Sequence, residues 1–259
     1  MMQAIEMKHV CFTYGKRTIL DDLCCVFPQG KMAMVLGRNG SGKSTLFNIL
    51  TGIQLDYEGE ITINSIDRRT MKRGKHGTLR IGFMNQFHQT TFPFSVFDVV
   101  LTGRAAFSRF APSKIDRLRV KEILGRFDLL RYSDKPYTAL SGGERQLVLL
   151  CRVLVQDPDI ILLDEPTNHL DLHYQIALLD HLKEMVEAGK TVVCIMHDPN
   201  LAFQYGDCFY VMDAGKLTDL SDASPEAVHR ELEQAYAVKL YRALVNDKPI
   251  MVPKSRLAR

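Results

Sequence analysis

Gly37-Arg38-Asn39-Gly40-Ser41-Gly42-Lys43-Ser44 fits the pattern G-x-x-x-x-G-K-[ST]. Just before it, Lys31 to Leu36 is a short, nearly all-apolar run that reads as a buried strand; just after it, Leu46, Phe47 and Leu50 share one helical face. Strand, glycine loop and helix in that order is the context in which such a loop holds phosphate. Glycines at 37, 40 and 42 let the backbone turn tightly, so that successive N–H groups converge on phosphate oxygens. A helix starting at Lys43 adds the positive end of its dipole. Lys43 is expected to reach the β- and γ-phosphates and the Ser44 hydroxyl to ligate Mg²⁺, with Asn39, Ser41 and Thr45 completing the nucleotide-binding set.

A hundred residues on, Leu140-Ser141-Gly142-Gly143-Glu144-Arg145-Gln146 opens an apolar helix, and the run Ile160-Ile161-Leu162-Leu163 leads into Asp164-Glu165. Asp164 closes a buried strand, so its carboxylate is expected at the C-terminal edge where ligands of α/β sheets bind. There it suits Mg²⁺ held through water, and Glu165 is free to polarise an attacking water. Ser141 fits an N-cap and Gly142-Gly143 expose backbone N–H groups. This segment either caps its own helix or forms a second anion site, one offered to nucleotide on another subunit.

The chain has 259 residues, enough for one compact α/β domain or one with a small insertion. Its 46% hydrophobic and 24% charged residues are ordinary for a soluble globular protein. A net charge of +3 is too weak to argue for nucleic acid, which is not an expected partner. Apolar stretches such as Leu147 to Cys151 stop far short of the ~20 residues of a membrane-spanning helix. Met1-Met2-Gln3-Ala4-Ile5-Glu6 does not read as a signal peptide. Six cysteines without paired spacing suggest reduced thiols. Cys24 and Cys25 should point to opposite faces of a strand, and Cys11, Cys151 and Cys194 read as small core residues; none is given a function.

Residues 3–14 and 17–27 alternate like the strands of an antiparallel hairpin turned at Gly15-Lys16, and Gly59 to Asn64 reads as a further strand. Arg68, Arg69, Lys72, Arg73, Lys75 and Arg80 form a basic cluster expected on a solvated loop. Residues 89–155 look helical. Strands at 159–164, 191–196 and 209–212 then alternate with helices near Tyr174 and Leu201, implying a mostly parallel sheet covered on both faces. From Ser224 the pattern gives one helix and then a basic tail holding Pro249 and Pro253. His169 and His173 sit four apart, but no third ligand nearby supports a metal site. The fold class is α/β: a single domain over 1–259, with a phosphate-loop core at 1–88 and 156–259, an N-terminal antiparallel β subdomain, and an inserted helical subdomain at 89–155.

The ordered trio of glycine loop, Leu-Ser-Gly-Gly and apolar-Asp-Glu resembles the nucleotide-binding subunits of ABC transporters over nearly the whole chain. The resemblance implies an ATPase whose two copies pair head-to-tail, clamping two ATP molecules between each glycine loop and the opposite Ser141-Gly142-Gly143. It implies that Tyr14 stacks on adenine, that Gln86 touches Mg²⁺ and links the core to the helical subdomain, and that His197 contacts the γ-phosphate. Asn168-His169-Leu170-Asp171 is similar to the loop that signals across the dimer, with Asp171 as its main polar contact. Four positions depart from the usual pattern: Met84-Asn85 replace Val-Pro, Met196 replaces Thr or Ser, and Arg38 replaces a Pro.

Thr91-Phe92-Pro93-Phe94-Ser95-Val96-Phe97-Asp98-Val99-Val100-Leu101-Thr102-Gly103-Arg104 is similar to the branch serving importers of iron chelates, haem and vitamin B12. That branch implies integral membrane permease subunits, a substrate-binding protein acting indirectly, and a peripheral position on the cytoplasmic face of the membrane. Phe92, Phe94, Val96 and Phe97 would then either line a groove for a permease helix or pack the subdomain core. Two other readings stand beside it. One is another transporter branch, such as a zinc, manganese or molybdate importer or an exporter. The other is a soluble ABC ATPase acting on ribosomes or DNA, against which a single cassette without a heptad run speaks.

Overall fold

The computed structural model describes residues 2–71, 80–85, 94–107, 111–168, 170–246 and 248–254. In chain order the strands are β1 (Gln3–Tyr14), β2 (Arg17–Pro28), β3 (Met32–Leu36), β4 (Glu58–Ile63), β5 (Ile66–Asp67), β6 (Ile81–Met84), β7 (Ile160–Asp164), β8 (Thr191–Ile195), β9 (Cys208–Asp213), β10 (Lys216–Asp219), β11 (Leu240–Val245) and β12 (Lys248–Pro253). The helices are α1 (Lys43–Thr51), α2 (Val96–Leu101), α3 (Lys114–Arg126), α4 (Gly142–Leu154), α5 (Leu172–Glu187), α6 (Pro199–Tyr205) and α7 (Pro225–Tyr236). The chain divides into two compact units, Met1–Met71 with Val186–Arg259, and Lys72–Met185.

In the first unit, β1 and β2 form the expected antiparallel hairpin, paired from Gln3↔Pro28 to Tyr14↔Arg17, and β4 and β5 extend the sheet on the other side of β1. Val10, Phe12, Leu20, Leu23 and Phe27 are buried along the hairpin's inner face. Strand phase corrects the reading of Cys11 as a core residue: with Val10 and Phe12 turned inward it lies half-exposed on the other face. Cys24 is exposed and Cys25 buried, as alternation requires, and Cys151 and Cys194 are buried.

The same unit holds β3 between β8 and β9, all three parallel, with every residue of Met32–Leu36 buried. A strand enclosed on both faces is continuously apolar, which is why this one stood out in the sequence. β10 returns antiparallel to β9 through a tight turn in which Ala214 and Gly215 both take positive φ, 46° and 80°. Beyond α7, the tail is not irregular: β11 and β12 pair from Leu240↔Pro253 to Val245↔Lys248 as a two-stranded ribbon. Pro249 and Pro253 are compatible because a two-stranded ribbon has outer edges that need no N–H donor. Asn200 on α6 fixes the ribbon by accepting from Met251 N at 2.7 Å and donating to Met251 O at 3.2 Å.

The basic cluster is only partly a solvated loop. Arg68 is 4% exposed, and its Nε donates to Leu50 O at 2.7 Å, satisfying an open carbonyl at the C-terminal end of α1. Its guanidinium covers Gly52, where a Cβ would come within 1.8 Å of an Arg68 nitrogen. Arg69 donates to Gly59 O and Tyr57 O and stacks 4.1 Å over the Tyr57 ring. Lys72, Arg73 and Lys75 lie outside the described residues.

In the second unit β6 and β7 run parallel, paired from Ile81↔Ile160 to Met84↔Leu163. α4 packs against α2 and α3 with Leu147, Val148, Leu150, Cys151 and Leu154 buried. Arg104 and Asp116 form a buried ion pair at 2.7 Å, tying the segment after α2 to the first turn of α3. Among the described residues no helix is long and apolar enough to cross a membrane.

Candidate functional site

The first unit presents the glycine loop between β3 and α1. Gly37, Gly40 and Gly42 take φ of 140°, 80° and 113°, where a side chain would be strained. A Cβ on Gly37 would also lie 2.2 Å from Met212 O. Lys43 is 5% exposed, and its Nζ donates to Gly37 O at 2.7 Å and to Arg38 O at 2.8 Å. The loop is thus wound around its own lysine. The helix N-cap, Gly42, supplies no side-chain cap, and no acidic residue occupies the first turn of α1. The backbone N–H groups there suit an anion. The Ser41 hydroxyl is buried and has no hydrogen-bond partner among the described residues, so a phosphate oxygen would satisfy it. Asn39 and Ser44 are exposed and Thr45 is half-buried.

Tyr14 ends β1 with 54% of its surface exposed, edge-on to Phe12 at 4.7 Å between ring centroids. Such a ring can stack on a planar base. His197 follows β8 and is half-buried. Its neighbour Met196 donates its N–H to Val35 O at 3.0 Å, and Asp198 caps α6 through Asn200 N at 2.8 Å.

The second unit carries the acidic pair and the Leu-Ser-Gly-Gly segment. Asp164 ends β7 and is 2% exposed; Glu165 is 8% exposed and takes a φ of +54°, turning the chain sharply off the strand. Asn168 Nδ2 donates to the Glu165 carboxylate. The loop after Glu165 is held from α4 by Gln146 Nε2 to Pro166 O at 3.1 Å and from α5 by Gln175 Nε2 to Thr167 O at 3.3 Å. Asp171 is exposed and accepts from Tyr174 N at 3.0 Å, capping α5. Ser141 caps α4 in a reciprocal box: its hydroxyl accepts from Glu144 N at 3.3 Å, and Glu144 accepts from Ser141 N at 2.9 Å. That backbone N–H holds the Glu144 carboxyl below its ordinary range. Ser141 and Gly142 are exposed, while Gly143 is buried beneath the Tyr174 ring.

The sequence profile of the ABC transporter family matches residues 20–168, from β2 through the loop after Glu165. The chain belongs to the ABC transporter family. The hemin import ATP-binding protein HmuV of Ruegeria sp. (strain TM1040) is 32% identical over 244 residues, covering 91% of this chain and 92% of that protein. Among solved structures, an ABC transporter described as of metal-chelate type, in an inward-facing conformation, superposes with a TM-score of 0.84 at 27% identity, covering 99% of both chains. A dimeric ATP-binding cassette bound to ADP and phosphate in a post-hydrolysis state superposes with a TM-score of 0.71 at 29% identity, covering 83% of this chain and 98% of that one. As a member of this family the chain is an ATPase.

One residue of this ABC ATPase escaped sequence reasoning. Tyr236, the last residue of α7, accepts from Gly37 N at 3.4 Å and donates to His197 O at 3.1 Å, bridging the glycine loop and the His197 turn. Burial pushes its phenol up to about 12, so it stays a neutral donor. No local signal marks it, because its partners lie far away along the chain. Gln86 and the segment Thr91–Pro93 lie outside the described residues, as does His169. Of the residues that follow, Phe94 is 52% exposed and Val96 is fully buried at the start of α2.

Proposed function

We propose that this chain is the ATP-hydrolysing subunit of an importer for haem, an iron–siderophore complex or a related metal chelate. The observation that carries the reading is end-to-end similarity to a hemin import ATP-binding protein and to a transporter of metal-chelate type. The chain acts as a head-to-tail pair beneath integral membrane permease subunits, on the cytoplasmic face of the membrane, and a substrate-binding protein delivers cargo to the permease. A nucleotide-binding core at 1–88 and 156–259 and a helical subdomain at 89–155 divide the work between ATP and permease. Exposed Phe94 faces the permease; buried Val96 packs the subdomain.

Tyr14 stacks on adenine, and the loop Gly37–Thr45 wraps the phosphates, with Lys43 turning from its loop carbonyls toward the β- and γ-oxygens. Glu165 accepts the proton of the attacking water, and Asn168 orients that carboxylate. His197 steadies the γ-phosphate, and Ser141 with Gly142 and Gly143 of the second copy completes the clamp. Ser44, Gln86 and Asp164 offer the hard oxygen donors that suit Mg²⁺, which when bound draws charge off the phosphate oxygens. Asp171 contacts the second copy. ATP closes the pair, and hydrolysis with phosphate release reopens it, a two-state change passed to the permease.

The test is to capture a tagged Glu165→Gln variant from detergent-solubilised membranes in the presence of ATP. A many-helix permease in the eluate supports the importer, and its identity narrows the cargo. Recovery of ribosomes, or of no membrane protein, refutes the transport reading and leaves the ATPase.

Tyr236 gives a second, smaller expectation. Tyr236→Phe keeps the half-buried ring and removes both hydrogen bonds, worth about 0.5–1.5 kcal/mol each in net terms. ATP turnover is expected to fall about two- to tenfold while KM changes less, because the His197 turn loses its anchor. In a His197→Ala background the same substitution should cost little more. A double-mutant cycle in steady-state hydrolysis measures this, and strictly additive losses would contradict the link between the two residues.

A further inference from the structure

We propose that the outer face of the β1–β2 hairpin is a binding site for a thiophilic divalent cation such as Zn²⁺, with His9, Asp22 and Cys24 as its ligands. Strand register builds the site. Val10 pairs with Leu23, and both are fully buried, so the residues on either side of each turn outward: His9 and Cys11 on β1, Asp22 and Cys24 on β2. A metal-ligating side chain thus flanks the buried pair at all four outward positions. The register shifts on both sides of Val10, and His9 and Asp22 take positive φ of 50° and 53°, which draws the two side chains together.

His9 Nδ1 and Asp22 Oδ1 are 2.8 Å apart, Cys24 Sγ is 3.8 Å from His9 Nδ1, and the three ligand atoms all lie within 4.8 Å of one another. Bonds of about 2.0–2.3 Å at tetrahedral angles separate neighbouring donors by about 3.3–3.6 Å. The His9–Asp22 pair therefore needs to open by roughly half an ångström and the Cys24–His9 pair to close by less, movements within reach of exposed side chains. Cys11 Sγ accepts Asp22 N at 3.2 Å, which fixes the backbone carrying the carboxylate. Water takes the fourth position.

The donor set decides the metal. One sulfur, one imidazole nitrogen and one carboxylate oxygen suit Zn²⁺ and its neighbours; Mg²⁺ and Ca²⁺ prefer oxygen alone. The site is thereby chemically separate from the Mg²⁺ chemistry of the phosphate loop.

The experiment uses full-length protein, reduced and stripped of metal by a chelator, without nucleotide and with excess Mg²⁺ present throughout. Zn²⁺ is titrated by calorimetry, and Co²⁺ is used as a spectroscopic probe for tetrahedral thiolate coordination. One equivalent of Zn²⁺ and a thiolate-to-Co²⁺ charge-transfer band are expected. His9→Ala and Cys24→Ser should each weaken binding at least about tenfold, and Cys24→Ser should abolish the band. All the altered side chains are on the exposed face, and thermal melting of each variant in chelator checks that the fold is kept. No Zn²⁺ uptake, or equal uptake by wild type and both variants, overturns the site and leaves a cross-strand hydrogen bond.

Discussion

Glu165→Gln is expected to lower ATP turnover by about 10²–10⁴-fold, the range general-base catalysis supplies, while ATP affinity is retained. The substitution keeps shape and volume at a position where both matter, since Glu165 is 8% exposed and sits at a φ of +54° that fixes its direction. Asn168 Nδ2 already donates to one carboxylate oxygen, and a glutamine carbonyl can accept that bond unchanged. What is lost is the ability to take a proton from water. Single-turnover hydrolysis with fluorescent-nucleotide binding separates the two effects. Turnover near wild type would remove Glu165 from the chemistry; lost nucleotide binding would show that the side chain holds the loop instead. With hydrolysis blocked, size-exclusion chromatography in ATP should also show the variant as a dimer.

The parts of the fold legible in the sequence were those whose signal is local. The glycine loop was readable because positive φ at Gly37, Gly40 and Gly42 demands glycine, and because β3 is apolar at every position. The β1–β2 hairpin was readable from alternation and from Gly15. The β11–β12 ribbon was not, because Pro249 and Pro253 mask a strand unless its edges are known to be unpaired. Arg68 read as a solvated charge for a similar reason: only the folded C-terminal end of α1 shows what its guanidinium satisfies. Tyr236 and the four outward positions at 9, 11, 22 and 24 depend on contacts between distant segments or on strand phase, and neither leaves a motif. Asp164, Glu165 and Ser141 were visible as motifs. What the sequence left open for Ser141 was whether it caps α4, which it does.

Lys43→Ala should act at the opposite end of the cycle, weakening ATP and ADP binding together by about 2–5 kcal/mol, roughly 30-fold to several thousand-fold. The side chain is buried, and its ammonium donates to Gly37 O and Arg38 O. Those carbonyls are a holding position for the charge, and triphosphate oxygens are stronger acceptors because they carry charge of their own. Removing the lysine therefore deletes a charge-assisted contact in the bound form and, in the free form, leaves the two carbonyls to find water. The second loss lowers stability by about 1–3 kcal/mol, visible as a lower melting temperature without nucleotide. A combined readout distinguishes the contributions: nucleotide should raise the melting temperature of wild type and of Glu165→Gln but not of Lys43→Ala. If nucleotide protects Lys43→Ala as well as wild type, the loop binds phosphate through its backbone alone, and the lysine serves only to hold Gly37 and Arg38 in place.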